Sequence, residues 1–103
     1  MIDQAAAAAV VRNEAQHRYE VWYGDKLAGF AEYRENGEDT AFIHTEVDTE
    51  FSGKGLASTL ARHAVVDTVE RGRAIVPRCS FIKGWLDKHP DYDAHVVGKG
   101  IQR

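Results

Sequence analysis

Hydrophobic and polar positions along this chain change rhythm at a glycine-rich turn. Before it, Tyr19, Val21 and Tyr23 alternate with Glu20 and Trp22, and this period of two predicts a strand over 18–23. Gly24-Asp25 marks a turn, and the apolar and aromatic run at 27–33 predicts a second strand. Asn36-Gly37, flanked by Glu35 and Glu38, reads as a tight hairpin turn leading into a third strand over 40–47. Three strands joined so closely predict an antiparallel meander.

After the turn the rhythm is helical. Leu56, Leu60, Ala61, Ala64, Val65 and Val69 recur at helix spacing, with Arg62, His63, Asp67, Glu70 and Arg71 on the other face, so a helix is expected over 56–71. Gly72 is placed to end it. A fourth strand follows over 73–79, centred on Ile75 and Val76. Ser80 can cap a second helix whose apolar face holds Phe81, Ile82, Trp85 and Leu86, and His89-Pro90 closes it. An Ala-His-Val-Val stretch within 92–97 predicts a short edge strand. Strands 40–47 and 73–79, joined through a helix, should be parallel with a right-handed crossover. The expected class is α/β (α+β): a mixed sheet, an antiparallel N-terminal meander plus a parallel strand–helix–strand crossover, with helices packed on the sheet.

Composition narrows the setting. The chain has 103 residues, enough for one domain; 44% are hydrophobic and 28% charged, which supports a packed core. The Ala-rich start sets residues 1–9 aside as an arm and leaves 10–103 as the domain. A net charge of -3 and a pI near 5.9 give no general attraction to nucleic acid or anionic membranes. Cys79 is the one cysteine, so no internal disulfide forms and a reducing cytoplasmic location is the simplest expectation. No apolar run approaches the roughly 20 residues of a membrane span. The first nine residues lack a basic start and carry Asp3, unlike a secretory leader.

The turn itself carries candidate chemistry. Gly53-Lys54-Gly55-Leu56-Ala57 stands at a strand-to-helix junction, where two glycines let the backbone fold tightly and approach a ligand. The first N–H groups of a helix lack partners inside it, and the helix dipole adds positive potential, so such a turn suits a phosphate or diphosphate. Lys54 and the Ser58 hydroxyl could add contacts. The ATP-type pattern of Gly, four residues, then Gly-Lys-Ser/Thr is missing. The dinucleotide fingerprint fits poorly, because Ser58 fills its third glycine place and three strands come first.

The run His44-Thr45-Glu46-Val47-Asp48 followed by Phe51-Ser52-Gly53-Lys54-Gly55-Leu56-Ala57-Ser58-Thr59-Leu60 resembles the acetyl-CoA-binding motif of the GNAT N-acetyltransferase superfamily. That motif is Gln/Arg-x-x-Gly-x-Gly/Ala. Gly55 and Ala57 match its last two defined places, and Ser52 stands where Gln or Arg is usual. Cys79-Ser80-Phe81-Ile82, Trp85 and His89-Pro90-Asp91-Tyr92 are similar to a minimal subfamily about as long as this chain. The resemblance spans residues 10–97. It implies that the two parallel strands splay apart, with a pantetheine arm between them. Val47, Ser52, Gly53, Lys54, Gly55, Leu56, Ala57 and Ser58 would then hold acetyl-CoA, chiefly through backbone N–H groups. Larger relatives shape the acceptor pocket with extra N-terminal helices that this chain has no room for, so an open acceptor site is implied. The implied partners are acetyl-CoA or CoA and an unidentified amine, protein or small molecule, attacked directly by a monomer or weak dimer. The alternative is a non-catalytic CoA-binding or acyl-CoA-binding module, or a partner-docking one.

Acyl transfer needs a neutral amine, and a lysine-type amine of pKa about 10.4 is almost wholly protonated at pH 7, so a base is useful. His44 and Glu46, two apart on a strand, face one side just ahead of the turn, with Glu46 the first choice for base and His44 the second. A surface pair is the competing reading. Cys79 ends a strand just before a helix, a placement that favours thiolate chemistry. It could be an acetyl acceptor, a proton donor, a wall of the thioester pocket, or simply a small buried hydrophobe. Tyr92 is a candidate general acid or a packing partner of Trp85. Lys83, Lys88, Arg78 and Arg73 would meet a 3′-phosphate or form a solvated face. No zinc-type spacing occurs, and no metal is expected.

Overall fold

Two glycine turns fix the meander. The computed structural model describes residues 8–51 and 53–103. Their order is β1 (Ala8–Asn13), β2 (Arg18–Tyr23), β3 (Lys26–Asn36), β4 (Asp39–Val47), α1 (Leu56–Glu70), β5 (Ala74–Pro77) and α2 (Ser80–Asp87). Short 3-10 turns lie at Thr49–Phe51 and Pro90–His95. One five-stranded sheet runs β1-β2-β3-β4-β5, antiparallel through β4 and parallel between β4 and β5. The mixed sheet anticipated from the sequence is therefore present, with a strand added at its edge.

That strand, β1, corrects the N-terminal expectation. Residues 1–7 lie outside the described residues, but Ala8 and Ala9 open β1, which pairs with β2 from Ala8↔Tyr23 to Asn13↔Arg18. Ala-Ala-Val-Val carries no apolar/polar alternation; the two-residue rhythm shows only in burial, Ala8 and Val10 being half-buried and Ala9 and Val11 exposed. Pairing to a finished neighbour, not intrinsic pattern, makes this segment a strand.

The hairpin between β3 and β4 is displaced by one residue from Asn36-Gly37. Asn36 pairs with Asp39, so the loop is Gly37-Glu38. Gly37 has φ 57, and among the described residues His17 alone is a non-glycine with positive φ. Glycine therefore takes the first loop place, the arrangement of a type II′ turn. Beyond α1, Gly72 adopts φ 74 and its N–H reaches the Val69 carbonyl, closing the helix where expected, although Arg71 caps α1 instead of belonging to it. β5 is shorter than 73–79 because Pro77 lacks an N–H to extend the ladder. The predicted strand over 92–97 reduces to two isolated bridges, Ile75↔Val96 and Val97↔Ile101, after the 3-10 turn.

The core lies between the inner sheet face and the helices. Tyr19, Val21, Ala31, Tyr33 and Phe42 from the strands meet Leu60, Ala64 and Val65 of α1 and Ile82 and Leu86 of α2. The other face of β2, β3 and β4 is polar or amphipathic. There Glu20 is 5% exposed yet satisfied, accepting from Arg18 Nε at 2.7 Å, Asn13 Nδ2 at 3.1 Å and Trp22 Nε1 at 3.1 Å. Burial pushes its pKa up, but these hydrogen bonds and the Arg18 charge outweigh it and hold the carboxyl below the usual range. At the β3–β4 hairpin end, Glu35 meets Arg12, Arg71 and Arg73 at 3.3, 3.0 and 3.3 Å and is likewise held low, against its burial.

Two bulges tune the sheet. The register shifts between Val21 and Trp22 opposite β3, and between Glu32 and Tyr33 opposite β4, where Ile43 is the extra residue. Just below, Gly29 pairs with Val47, and a Cβ there would meet the Glu46 carbonyl oxygen at 2.6 Å and Val47 Cγ2 at 2.9 Å. Gly29→Ala should therefore destabilise the fold by roughly 1–3 kcal/mol in urea unfolding, since backbone must move to admit the methyl. An unchanged midpoint would show that β3 and β4 do not need this close approach.

Tyr19, 2% exposed, donates its hydroxyl to Asp67 Oδ2 at 2.6 Å, tying β2 to α1. Burial first, then this hydrogen bond, pushes its pKa up to about 12 from 10.0. The folded state thus keeps a proton that the unfolded chain releases. This contribution is complete below about pH 10 and lost as pH rises towards about 12. At about pH 11.5 the loss is on the order of 2 kcal/mol. Tyr19→Phe should flatten the alkaline fall in unfolding free energy between about pH 9 and 11.5; a slope equal to wild type would remove Tyr19 as its source.

Candidate functional site

A cleft opens where the two parallel strands part. β4 and β5 pair only from Asp39↔Ala74 to Phe42↔Pro77. Arg78 and Cys79 N–H groups both donate to the Phe42 carbonyl, at 3.0 and 2.8 Å, and form the last backbone link. β4 then continues to Val47 while the chain after Cys79 turns away into α2. The cleft is about 690 Å³ and is lined by Val47 and Asp48, the turn at Thr49–Phe51, Gly53, Gly55 and the first turn of α1, and one face of α2.

Two helix starts border this space, Leu56 of α1 and Ser80 of α2. Neither first turn carries an acidic side chain, and neither N-cap makes a side-chain hydrogen bond. Gly55 takes φ 70, which brings the chain into α1 with no side chain over the helix end, and its carbonyl accepts the Thr59 N–H at 3.1 Å. The N–H groups of the first turn have no partner within the helix. Among the described residues, none of the amides from 53 to 58 has a backbone partner outside it. The result is a positive potential at the helix starts, with no first-turn acid to offset it, suited to an anion.

α2 supplies the other wall. Phe81, Gly84, Trp85 and Lys88 recur on its cleft side, while Ile82 and Leu86 go to the core. A Cβ on Gly84 would meet nothing within 4 Å, so this position keeps the wall open. His89 stacks on Trp85 with centroids 3.8 Å apart and an interplanar angle of 13°, its Nδ1 2.7 Å from the Trp85 carbonyl oxygen. Arg62 of α1 lies 5.6 Å from the centroid of the same indole. Tyr92 also packs on it, with centroids 5.7 Å apart, which fits the packing reading of that tyrosine.

The sequence-predicted site residues do not all fall in the cleft. Val47, Gly53, Gly55, Leu56, Ala57 and Ser58 line the cleft. Ser52 lies outside the described residues. Lys54 does not line the cleft; its ammonium sits 5.0 Å from the centroid of the Tyr23 ring. His44 and Glu46 do meet each other, Nε2 to Oε2 at 2.7 Å, with both side chains exposed and His44 beside Phe30. They leave β4 on the face opposite to Thr45 and Val47. Cys79 belongs to the Thr45 side: its sulfur is 3.2 Å from Thr45 Oγ1, and the residue is 8% exposed. The thiol and the His–Glu pair therefore flank one strand from its two sides.

Trp85, His89 and Phe81 were not assigned to the site from sequence, where His89 read as a helix terminator; Lys88, one of the cations offered for a 3′-phosphate, does line the cleft. The i, i+4 spacing of Trp85 and His89 was the available signal, since it places both on one helix face. Among the described residues, no group of three or more His, Cys, Asp or Glu is gathered, and no helix is long and apolar enough to cross a membrane.

A five-stranded mixed sheet whose parallel pair parts beside a helix N-terminus makes this an α+β protein with a seat for an anion. Residues 18–96 match the model of the GCN5-related N-acetyl-transferase family, and the chain belongs to that family of enzymes, which move an acyl group to an amine. The fold is similar to the NMR solution structure of a GCN5-like protein from Staphylococcus aureus, with TM-score 0.68 at 20% identity over 89% of this chain and 90% of that one. A search of curated proteins gave no match.

The Cys79–Thr45 contact yields a direct test. With its sulfur covered, Cys79 should react with a thiol-specific disulfide reagent at least about tenfold more slowly in the native protein than in urea. Thr45→Val should speed the native reaction by loosening the thiol. Equal native and denatured rates would show that the sulfur is open to solvent.

Proposed function

We propose that the protein is an acetyl-CoA-dependent N-acetyltransferase whose donor lies in the cleft between β4 and α2. The observation that carries this reading is the pair of helix starts, Leu56 and Ser80, facing one cleft without acidic side chains or side-chain caps. First-turn amides of α1 would hold the diphosphate, and Lys88 and His89 stand on the wall for further anionic groups. The apolar arm would run along Val47, Leu56, Phe81 and Trp85 towards the gap beyond Phe42.

In this reading the acceptor amine approaches β4 from the side that carries His44 and Glu46. An imidazole donating to Glu46 through Nε2 keeps Nδ1 as an acceptor, so the pair can take a proton from an incoming amine. The amine nitrogen then bonds to the acetyl carbon, and the carbon–sulfur bond breaks. Cys79, bonded to Thr45 where the strands part, offers the departing sulfur a proton donor.

Ala57→Glu tests the donor seat. The new carboxylate sits in the first turn of α1, where it suits the helix dipole and should leave the melting temperature unchanged or higher. It also occupies the anion position, so acetyl-CoA affinity measured by calorimetry should fall by about a hundredfold or more. Unaltered affinity in a folded Ala57→Glu protein would remove the helix start from the binding site.

A further inference from the structure

The donor cleft has a closed end. On β4 its lining starts at Val47, and on α2 it starts at Ser80. One step further towards the paired rungs stand Thr45, on the same face of β4 as Val47, and Cys79, just before Ser80. These two side chains meet, with Thr45 Oγ1 3.2 Å from Cys79 Sγ. Their contact spans the space between β4 and the chain leaving β5, and neither residue lines the cleft.

The contact is held from several sides. Cys79 is buried, its N–H donates to the Phe42 carbonyl at 2.8 Å, and its own carbonyl accepts the Lys83 N–H at 3.0 Å. Its backbone is thus tied both to β4 and to the first turn of α2. The residue belongs to the same buried cluster as Phe42 and Ile82, so the space behind it is filled. Thr45 pairs with the buried Ala31 of β3, and its branched side chain is restricted at χ1.

We propose that the Thr45–Cys79 contact is an acyl-length stop, which limits the donor to an acetyl-sized thioester. The inference rests on reading the cleft as the donor site. An acyl group at the inner end of the apolar arm ends against the Thr45 side chain and the Cys79 sulfur. Each methylene beyond acetyl has to displace one of these side chains, and a close-packed interior resists the added volume. Thr45 and Cys79 are thus specificity residues for the acyl group, set apart from the helix starts that would hold the diphosphate.

The test is calorimetric binding of CoA, acetyl-CoA and butyryl-CoA, with no amine present, to wild type, Thr45→Ala and Cys79→Ala. Wild type should bind butyryl-CoA about tenfold or more weakly than acetyl-CoA. Thr45→Ala removes Oγ1 and Cγ2, and Cys79→Ala removes Sγ; in each the ratio should fall to about threefold or less. A purely structural role would weaken all three ligands together and leave the ratio where it was. Equal wild-type affinities for the two thioesters, or a ratio unchanged in every variant that folds, would overturn the stop, while CoA binding would keep the donor reading standing. The wild-type comparison decides even where a variant fails to fold. Absence of binding by all three ligands in wild type would take both readings.

Discussion

The parallel pairing of β4 with β5 runs from Asp39↔Ala74 only to Phe42↔Pro77, and that limit organises the rest of the molecule. Parallel strands usually stay together because each rung satisfies backbone groups of both. Here a proline ends β5, and the next two amides, of Arg78 and Cys79, converge on one carbonyl at Phe42. The chain has no further rungs to form, so it departs into α2 while β4 continues. The opening, the placement of Cys79 against Thr45, and the facing of α2 towards the start of α1 all follow from that stop.

Charge is distributed in keeping with this geometry. At the hairpin end, Glu35 draws three arginines into one cluster. At the cleft, backbone supplies positive potential beside Lys88, because neither helix start carries an acid in its first turn. Fixed backbone dipoles need no side-chain ordering when an anion arrives, which lowers the entropic cost of binding. Lys54 fits this division: although it lies in the glycine turn, it rests on Tyr23, and the amides remain open.

Much of this was legible in the sequence, and the misses have physical causes. The alternation of Tyr19, Val21 and Tyr23 and the helical recurrence from Leu56 to Val69 each report one buried face, so those elements could be read directly. β1 could not, because Ala-Ala-Val-Val becomes a strand only through its partner β2. The Gly37-Glu38 loop differed by one residue because Asn36 and Gly37 both suit a hairpin, and strand register decided between them. Within the cleft, glycines at 53 and 55 announced the turn, since few other residues reach φ 82 and φ 70. The α2 wall was harder. Trp85 and Leu86 are consecutive apolar residues that both join the core, and only the packed structure shows that Trp85 also borders the cleft.

The bare first turns of α1 and α2 carry a thermodynamic consequence. An acid or a side-chain cap there would ordinarily stabilise a helix, so the ligand-free protein forgoes stability at two places that meet in one cleft. A bound anion restores what is missing and does so only in the folded state. Thermal denaturation therefore becomes a label-free reporter of occupancy, and cognate molecules can be ranked by the heat resistance they confer, before any turnover is measured.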